Sequence, residues 1–464
     1  MSRGRNTAIL AALALGLGAY IYFIDQYKTP APETPPSAPA GKVFEKVDAA
    51  KIDEVRLTSS AGEATTVKKV GTVWRVASPV DAPADESELS GITTNLATAD
   101  IQRVVEEKPK DLAPFGLATP RVTVAFTVAG EKAPRTLLIG DKNPTGSDLY
   151  AKLPDAPRVF LISGFLDGTF DRTTFQLRDK KLLAFDRDKV DRIDIVTGKD
   201  TTTVTRQADV WSVTAPVQAR ADFGTIESVL SRLAGGQMKS IAWDPSAPAS
   251  APAPAAPGAK PAPHTLKEFG LDPAERHVVV TAGSARAELV IGKATPQGDV
   301  YVKDAGRPLV FVVEKALVDD VARTTADFRS KDLFGFRAFT GTRLEIARAG
   351  KTVVYERKKG PEKEAVEKWV AVPPTKAADE AKIEDLVTKV SNLRADSFVD
   401  ALPAGATESL RIQTAFDEGK KHETVVIHQV GADAYAVRQG DAGAAKLIAP
   451  ALTDLVAALD ATQK

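Results

Sequence analysis

Val73-Trp74-Arg75-Val76 ahead of Ala84-Asp85, Val210-Trp211-Ser212-Val213 ahead of Ala221-Asp222, and Lys368-Trp369-Val370-Ala371-Val372 ahead of Ala378-Asp379 are three versions of one phrase. From each Asp, aliphatic residues recur at offsets 4, 7 and 11: Leu89, Ile92 and Leu96, then Ile226, Val229 and Leu233, then Ile383, Leu386 and Val390. That spacing marks one face of an α-helix. Each Asp stands where an N-cap belongs, its carboxylate accepting from the open amides of the first turn. In the first copy Glu88 supplies the reciprocal residue of a capping box. At offset 19 an apolar residue returns as Val104, Ile241 and Phe398, so helix and following strand keep one length.

A second module follows in two of the copies. Phe115-Gly116-Leu117 with Pro120 matches Phe269-Gly270-Leu271 with Pro273, and each opens a run of short strands. Leu138-Ile139-Gly140 matches Val290-Ile291-Gly292, Tyr150-Ala151-Lys152 matches Tyr301-Val302-Lys303, and Val159-Phe160-Leu161-Ile162 matches Val310-Phe311-Val312-Val313. Short β-rich runs parted by Gly, Pro, Asn and Asp predict an antiparallel meander. The third copy keeps Val425-Val426-Ile427 and Tyr435-Ala436-Val437 but loses the Phe-Gly-Leu turn and the Ile-Gly pair, ending instead in a helix from Pro450 to Thr462.

The Trp residues are 137 and 158 positions apart, a domain-sized period that excludes a solenoid. From Trp to Phe-Gly-Leu the distance is 41 in the first copy and 58 in the second, and the excess falls in the Ala/Pro tract 245–263. That tract reads as a loop inserted within the second domain; a Pro-rich partner-binding segment is the alternative. The joints also match: Leu177-Arg178-Asp179-Lys180-Lys181-Leu182 aligns with Phe328-Arg329-Ser330-Lys331-Asp332-Leu333. The expected organisation is a tip and anchor (1–28), a Pro-rich stalk (29–41) and repeat domains at 42–173, 174–327 and 328–464, the third degenerate. The fold class is α+β: tandem β-rich domains with antiparallel meanders and one main helix each.

The amino terminus sets an address. After Arg3 and Arg5, an apolar run from Ala8 to Ile24 carries no charge until Asp25. At about 1.5 Å per residue it reaches roughly 25 Å, the short end of a spanning helix. Tyr20, Tyr22, Phe23 and Tyr27 cluster at its far end, where amphipathic rings favour the interface, and the arginines predict a cytoplasmic amino terminus. A cleaved signal peptide is the alternative, but aromatic residues stand where Ala-x-Ala should be. The expectation is a single-pass signal anchor in a bacterial inner membrane, with the bulk of the chain in the periplasm.

The ordered set of Trp strand, Ala-Asp helix, Phe-Gly-Leu turn, Ile-Gly strand, Tyr-x-Lys strand and Arg-x-Lys joint, behind one amino-terminal anchor, resembles the DUF4340 family. The resemblance implies a bacterial protein often encoded beside ABC-transporter components similar to those of the gliding-motility export system. It supplies no catalytic residue to carry over.

Composition excludes several classes. Lys and Arg number 61 against 61 Asp and Glu, so no basic excess points to nucleic acid. The chain has no Cys, which removes disulfides, thiolate metal sites and cysteine nucleophiles. Its four histidines are scattered; His422 and His428 share a strand face but stand about 20 Å apart at 3.3 Å per residue, too far for one metal. Gly350-Lys351-Thr352 ends like a phosphate loop but is followed by strand residues, with Glu345 where glycine is required. Asp186, Asp188, Asp191 and Asp194 lack the glycine of a calcium loop. No catalytic residue, metal or cofactor is expected. Arg178, Lys180, Arg329 and Lys331 at the joints are candidate partner-docking residues, with interdomain ion pairs as the alternative. The expected function is a noncatalytic accessory or scaffold protein that partners the membrane and, from the resemblance, an ABC-type export or assembly system. The alternative is an envelope glycan-binding protein or a hydrolase using acids gathered by the fold.

Overall fold

The computed structural model describes residues 40–247, 265–359, 367–373 and 379–463. The apolar run 8–24, nearly all of the stalk and most of the Ala/Pro tract lie outside them. Among the described residues no helix is long and apolar enough to cross a membrane. The chain divides into two compact units, one ending at Asp179 and one beginning at Lys180. The first holds one sheet and the second holds two.

The first sheet comprises β1 (Ile52–Thr58), β2 (Ala64–Val70), β3 (Val73–Ser78), β4 (Ala82–Pro83), β5 (Arg103–Glu106), β6 (Val122–Val128), β7 (Arg135–Lys142), β8 (Asp148–Lys152) and β9 (Val159–Ser163). Their order is β4-β3-β2-β1-β6-β7-β8-β9-β5, with every neighbouring pair antiparallel. Helix α1 (Glu86–Thr98) carries the chain from one edge of the sheet to the other. The second sheet is built from β10 (Arg192–Thr197), β11 (Asp200–Gln207), β12 (Val210–Ala215), β13 (Ala219–Arg220), β14 (Ser240–Trp243), β15 (Arg276–Ala282), β16 (Ala285–Ala294), β17 (Val300–Asp304) and β18 (Val310–Val313). It repeats the same order. The third, β19 (Gly341–Arg348), β20 (Lys351–Lys359), β21 (Glu367–Val372), β22 (Ala395–Val399), β23 (Thr407–Phe416), β24 (Lys421–Val430), β25 (Asp433–Arg438) and β26 (Ala444–Leu447), follows it without the two-residue edge strand. The chain is therefore β-rich α+β, in tandem antiparallel sheets.

Local chemistry explains the recurrence. Each main helix, α1, α4 (Phe223–Gly235) and α7 (Glu380–Ser391), starts behind a capping Asp. Asp85 accepts from Ser87 and Glu88, Asp222 from Thr225 at 2.7 Å, and Asp379 from Ala381 at 3.0 Å. The nine aliphatic residues at offsets 4, 7 and 11 are buried, and so are Trp74, Trp211 and Trp369, at 6%, 5% and 4% exposed. Val76 and Val213 share the face of their tryptophans and are fully buried, as period-2 alternation requires. One local reading needs correcting: Glu88 does not close a capping box. The Asp85 amide already donates to the Leu177 carbonyl at 2.9 Å, and the Glu88 carboxylate pairs with Arg172 at 3.0 Å.

The Phe-Gly-Leu turn and the Ile-Gly strand prove to be two sides of one contact. Gly116 and Gly270 end 3₁₀ turns at φ 64° and 69°, a left-handed conformation glycine adopts without strain. Phe115 meets Tyr150 edge-on at 5.1 Å, and Phe269 meets Tyr301 likewise at 5.1 Å. A terminal helix follows the last meander strand in all three repeats: α2 (Leu166–Phe170), α5 (Lys315–Val321) and α8 (Pro450–Ala461). The third repeat is thus longer there and is not unique in ending so. The four-residue helices α3 (Thr174–Leu177) and α6 (Thr325–Phe328), each opened by a Thr capping box, occupy the matching joints. Ala40 and Gly41, at the end of the sequence-assigned stalk, already bond by backbone to Ile101.

Candidate functional site

Within the second unit, the connector after α6 is stitched to both of its sheets. The Ser330 amide donates to the Arg220 carbonyl at 2.9 Å on one side; on the other, Leu333 donates to Leu393 at 3.0 Å and Ala395 to Lys331 at 2.7 Å. Beside it lies a withdrawn charge network centred on Glu423, whose side chain is 7% exposed. Its carboxylate accepts from the Gly335 amide at 2.8 Å, the Phe336 amide at 3.2 Å, Arg438 Nη2 at 2.9 Å and Arg220 Nη1 at 3.3 Å. Asp441 completes it, accepting from the Arg220 amide at 3.1 Å and Arg438 Nη1 at 3.2 Å. Burial, with Arg438 nearby, pushes the Arg220 guanidinium below its ordinary pKa. It remains a cation, since arginine is not deprotonated in proteins.

Next to this network is a cleft of about 430 Å³. It is lined by Gly224, Thr225 and Ser228 from the start of α4 and by Arg323, Arg329, Lys331 and Arg394. Its two acids are occupied by the backbone: Asp222 caps α4, and Asp327 accepts from the Thr324 amide at 2.9 Å. Arg323 contacts Asp320 at 3.2 Å and Arg394 contacts Asp332 at 3.0 Å.

The four joint cations have different fates. Arg329 is 7% exposed, donates from Nη2 to the Ala442 carbonyl at 2.8 Å and lies 4.0 Å over the Phe398 ring. It is mostly buried and borders the cleft. Lys331 is exposed on the cleft wall. Arg178 pairs by backbone with Ala84 near the end of the first unit, and Lys180 opens the second, accepting from the Met238 amide at 2.8 Å. The sequence reading missed Glu423, Arg220, Arg323 and Arg394. A comparison of copies at offset 3 from the capping Asp, where Glu88 is replaced by Thr225, would have pointed to the cleft.

Other chemistry-bearing residues are engaged in structure. Among the described residues no group of three acids or histidines could hold a metal. Asp186 pairs with Lys189 at 2.8 Å and Asp191 accepts from the Gly283 amide at 2.9 Å. His277 Nδ1 lies 2.8 Å from Glu288 and its Nε2 3.3 Å from the Ala274 carbonyl. His422 and His428 both lie on β24, and His264 is outside the described residues. Asp167 and Asp171 share the guanidinium of Arg121, and Asp171 also takes the Ser60 amide at 2.8 Å. The Glu131 carboxyl is held below its ordinary pKa by Arg135, and that of Glu356 by Lys358 and Arg343.

Two stretches, 74–256 and 211–413, match the sequence profile of the domain of unknown function DUF4340, and together they span more than half of the chain. The chain belongs to the DUF4340 family. The two matches begin on Trp74 and Trp211, the same residue of two successive repeats. No curated protein matches the sequence. The solved structures it is similar to include the DNA polymerase III sliding clamp of Pseudomonas aeruginosa bound to griselimycin, 10% identical, covering 87% of this chain and 93% of that one at a TM-score of 0.16. A second sliding clamp from Pseudomonas aeruginosa is 9% identical, with 86% and 92% covered and a TM-score of 0.18. Overlap this slight carries nothing about fold or partners.

Proposed function

We propose that this DUF4340 protein is a noncatalytic accessory or scaffold component of the bacterial envelope, anchored by residues 8–24 and presenting its repeat domains in the periplasm to an ABC-type export or assembly system. The observation that carries this reading is how the repeated residues are employed. The tryptophans are core, the aspartates are helix caps, and the Phe-Gly-Leu and Ile-Gly motifs pack on one another. What the repeats preserve is architecture. The apolar run behind Arg3 and Arg5 supports the anchor, and the family resemblance supports the partner class.

The test is affinity capture of the full-length chain from detergent-solubilised membranes after crosslinking. Recovery of transporter subunits is expected. Recovery of the chain from the cytosolic fraction, or release of sugar from envelope glycan by the purified protein, would overturn the proposal.

A further inference from the structure

In the first repeat the guanidinium of Arg172 is satisfied from within, by the Glu88 carboxylate on the first turn of α1. Counted from the capping aspartates, Thr225 of the second repeat stands where Glu88 stands, and Arg323, the residue before the Thr-Thr pair of the joint, stands where Arg172 stands. The first turn of α1 carries Glu86 and Glu88, whereas that of α4 carries no acid. In the second repeat the anion that meets this arginine is Asp320, at 3.2 Å, and the first turn of α4 is left with a hydroxyl and open backbone where α1 carries a carboxylate.

We propose that the cleft between α4 and the following joint binds a compact oxyanion, a phosphate group in the simplest case. Four cations line a space of about 430 Å³ whose own two carboxylates are both committed to capping; Arg323 and Arg394 each also meet one carboxylate outside that lining, Asp320 and Asp332. Arg329 forms part of its wall at 7% exposed, and among the described residues its Nε has no hydrogen-bond partner. Lys331 reaches it from solvent. The thirteen-residue α4 adds the positive end of its dipole, with Gly224, Thr225 and Ser228 lining the anion's approach. Charge-assisted bonds from guanidinium to phosphate are the strong kind, and the geometry of Arg suits them. The phosphate can be free or belong to a lipid headgroup; the recognising chemistry is the same. This site does not depend on the membrane or transporter reading above.

The experiment is isothermal titration of the full-length chain at low ionic strength, with sodium phosphate in one arm and short-chain phosphatidylglycerol below its micelle concentration in the other. Binding in at least one arm is expected, and the arm that responds identifies the source. Lys331→Glu and Arg394→Glu change exposed residues and should each weaken binding about tenfold or more, the scale of one hydrogen bond to a charged group. Thr225→Glu rebuilds the first repeat's own pair and should abolish binding while leaving the thermal melt intact. Silence in both arms, or Thr225→Glu binding as tightly as the parent, would overturn the assignment.

Discussion

The carbonyl oxygen of Phe115 lies against Gly140 so closely that a Cβ there would come within 2.0 Å of it, and Phe269 stands to Gly292 in the same way at 2.3 Å. Backbone meets backbone, so nothing flexible can give way. Gly140→Ala should cost about 1–3 kcal/mol, the usual range for overpacking. Gly168→Ala is the control, because nothing beyond its own helical backbone lies within 4 Å of its added methyl. Denaturant unfolding compares them; equal stability of the two variants would refute the contact.

Glu423 should be the costliest single residue to remove at the joint. Deleting its carboxylate leaves two backbone amides without their acceptor and takes one carboxylate from the half-buried Arg220 and Arg438, which keep the Asp332 carbonyl and Asp441 respectively. Breaking a buried pair from one side costs about 3–5 kcal/mol. Glu423→Ala should lower the calorimetric transition of the second unit and hasten proteolysis between Phe328 and Phe336. Glu423→Gln, which keeps one acceptor oxygen, should fall between. A Glu423→Ala protein with unchanged melting and protection would show that the network contributes little.

Much of this fold is legible in the residues because its causes are local. A helix face at offsets 4, 7 and 11, an Asp at the cap and a Val two positions from a Trp each depend on neighbours within a turn or a strand. The Phe-Gly-Leu and Ile-Gly motifs vanish together from the third copy, and the structure supplies the reason: neither constrains the chain without the other. What stayed hidden depends on distant partners. Arg220 and Glu423 are 203 residues apart, and no spacing rule links them. Glu88 misled for the same reason, since its local role as a cap partner was pre-empted by Leu177 and its carboxylate went to Arg172. Arg329 is mostly buried whereas Lys331 is exposed, a difference hidden in the sequence because a repeated cation says nothing of burial.

The capping aspartates should behave as structural residues. Asp85→Ala and Asp379→Ala should each cost about 1 kcal/mol, and the Asn variants much less, because Asn caps nearly as well. Both would be read from unfolding midpoints of the full chain. A loss of partner capture in Asp85→Asn without any loss of stability would point instead to a functional carboxylate.

Asp194 predicts a specific response to acid. Burial, the largest single influence, raises its pKa, but Arg192 at 2.7 Å, the Thr203 hydroxyl at 2.7 Å and the charge of Arg286 together pull it below the ordinary 3.8. A depressed folded-state value means the carboxylate stabilises the protein above its unfolded pKa, and that stabilisation is lost as pH falls from 3.8 through the lower folded value. Because Arg192, its main partner, is half exposed, solvent screening keeps the contribution under about 1 kcal/mol. Asp194→Asn should therefore melt lower than the parent at pH 7, the difference should close progressively below pH 3.8, and added salt should shrink it where it exists. A gap that widens on acidification would mean that the neutral acid, and not the carboxylate, is the form the fold prefers.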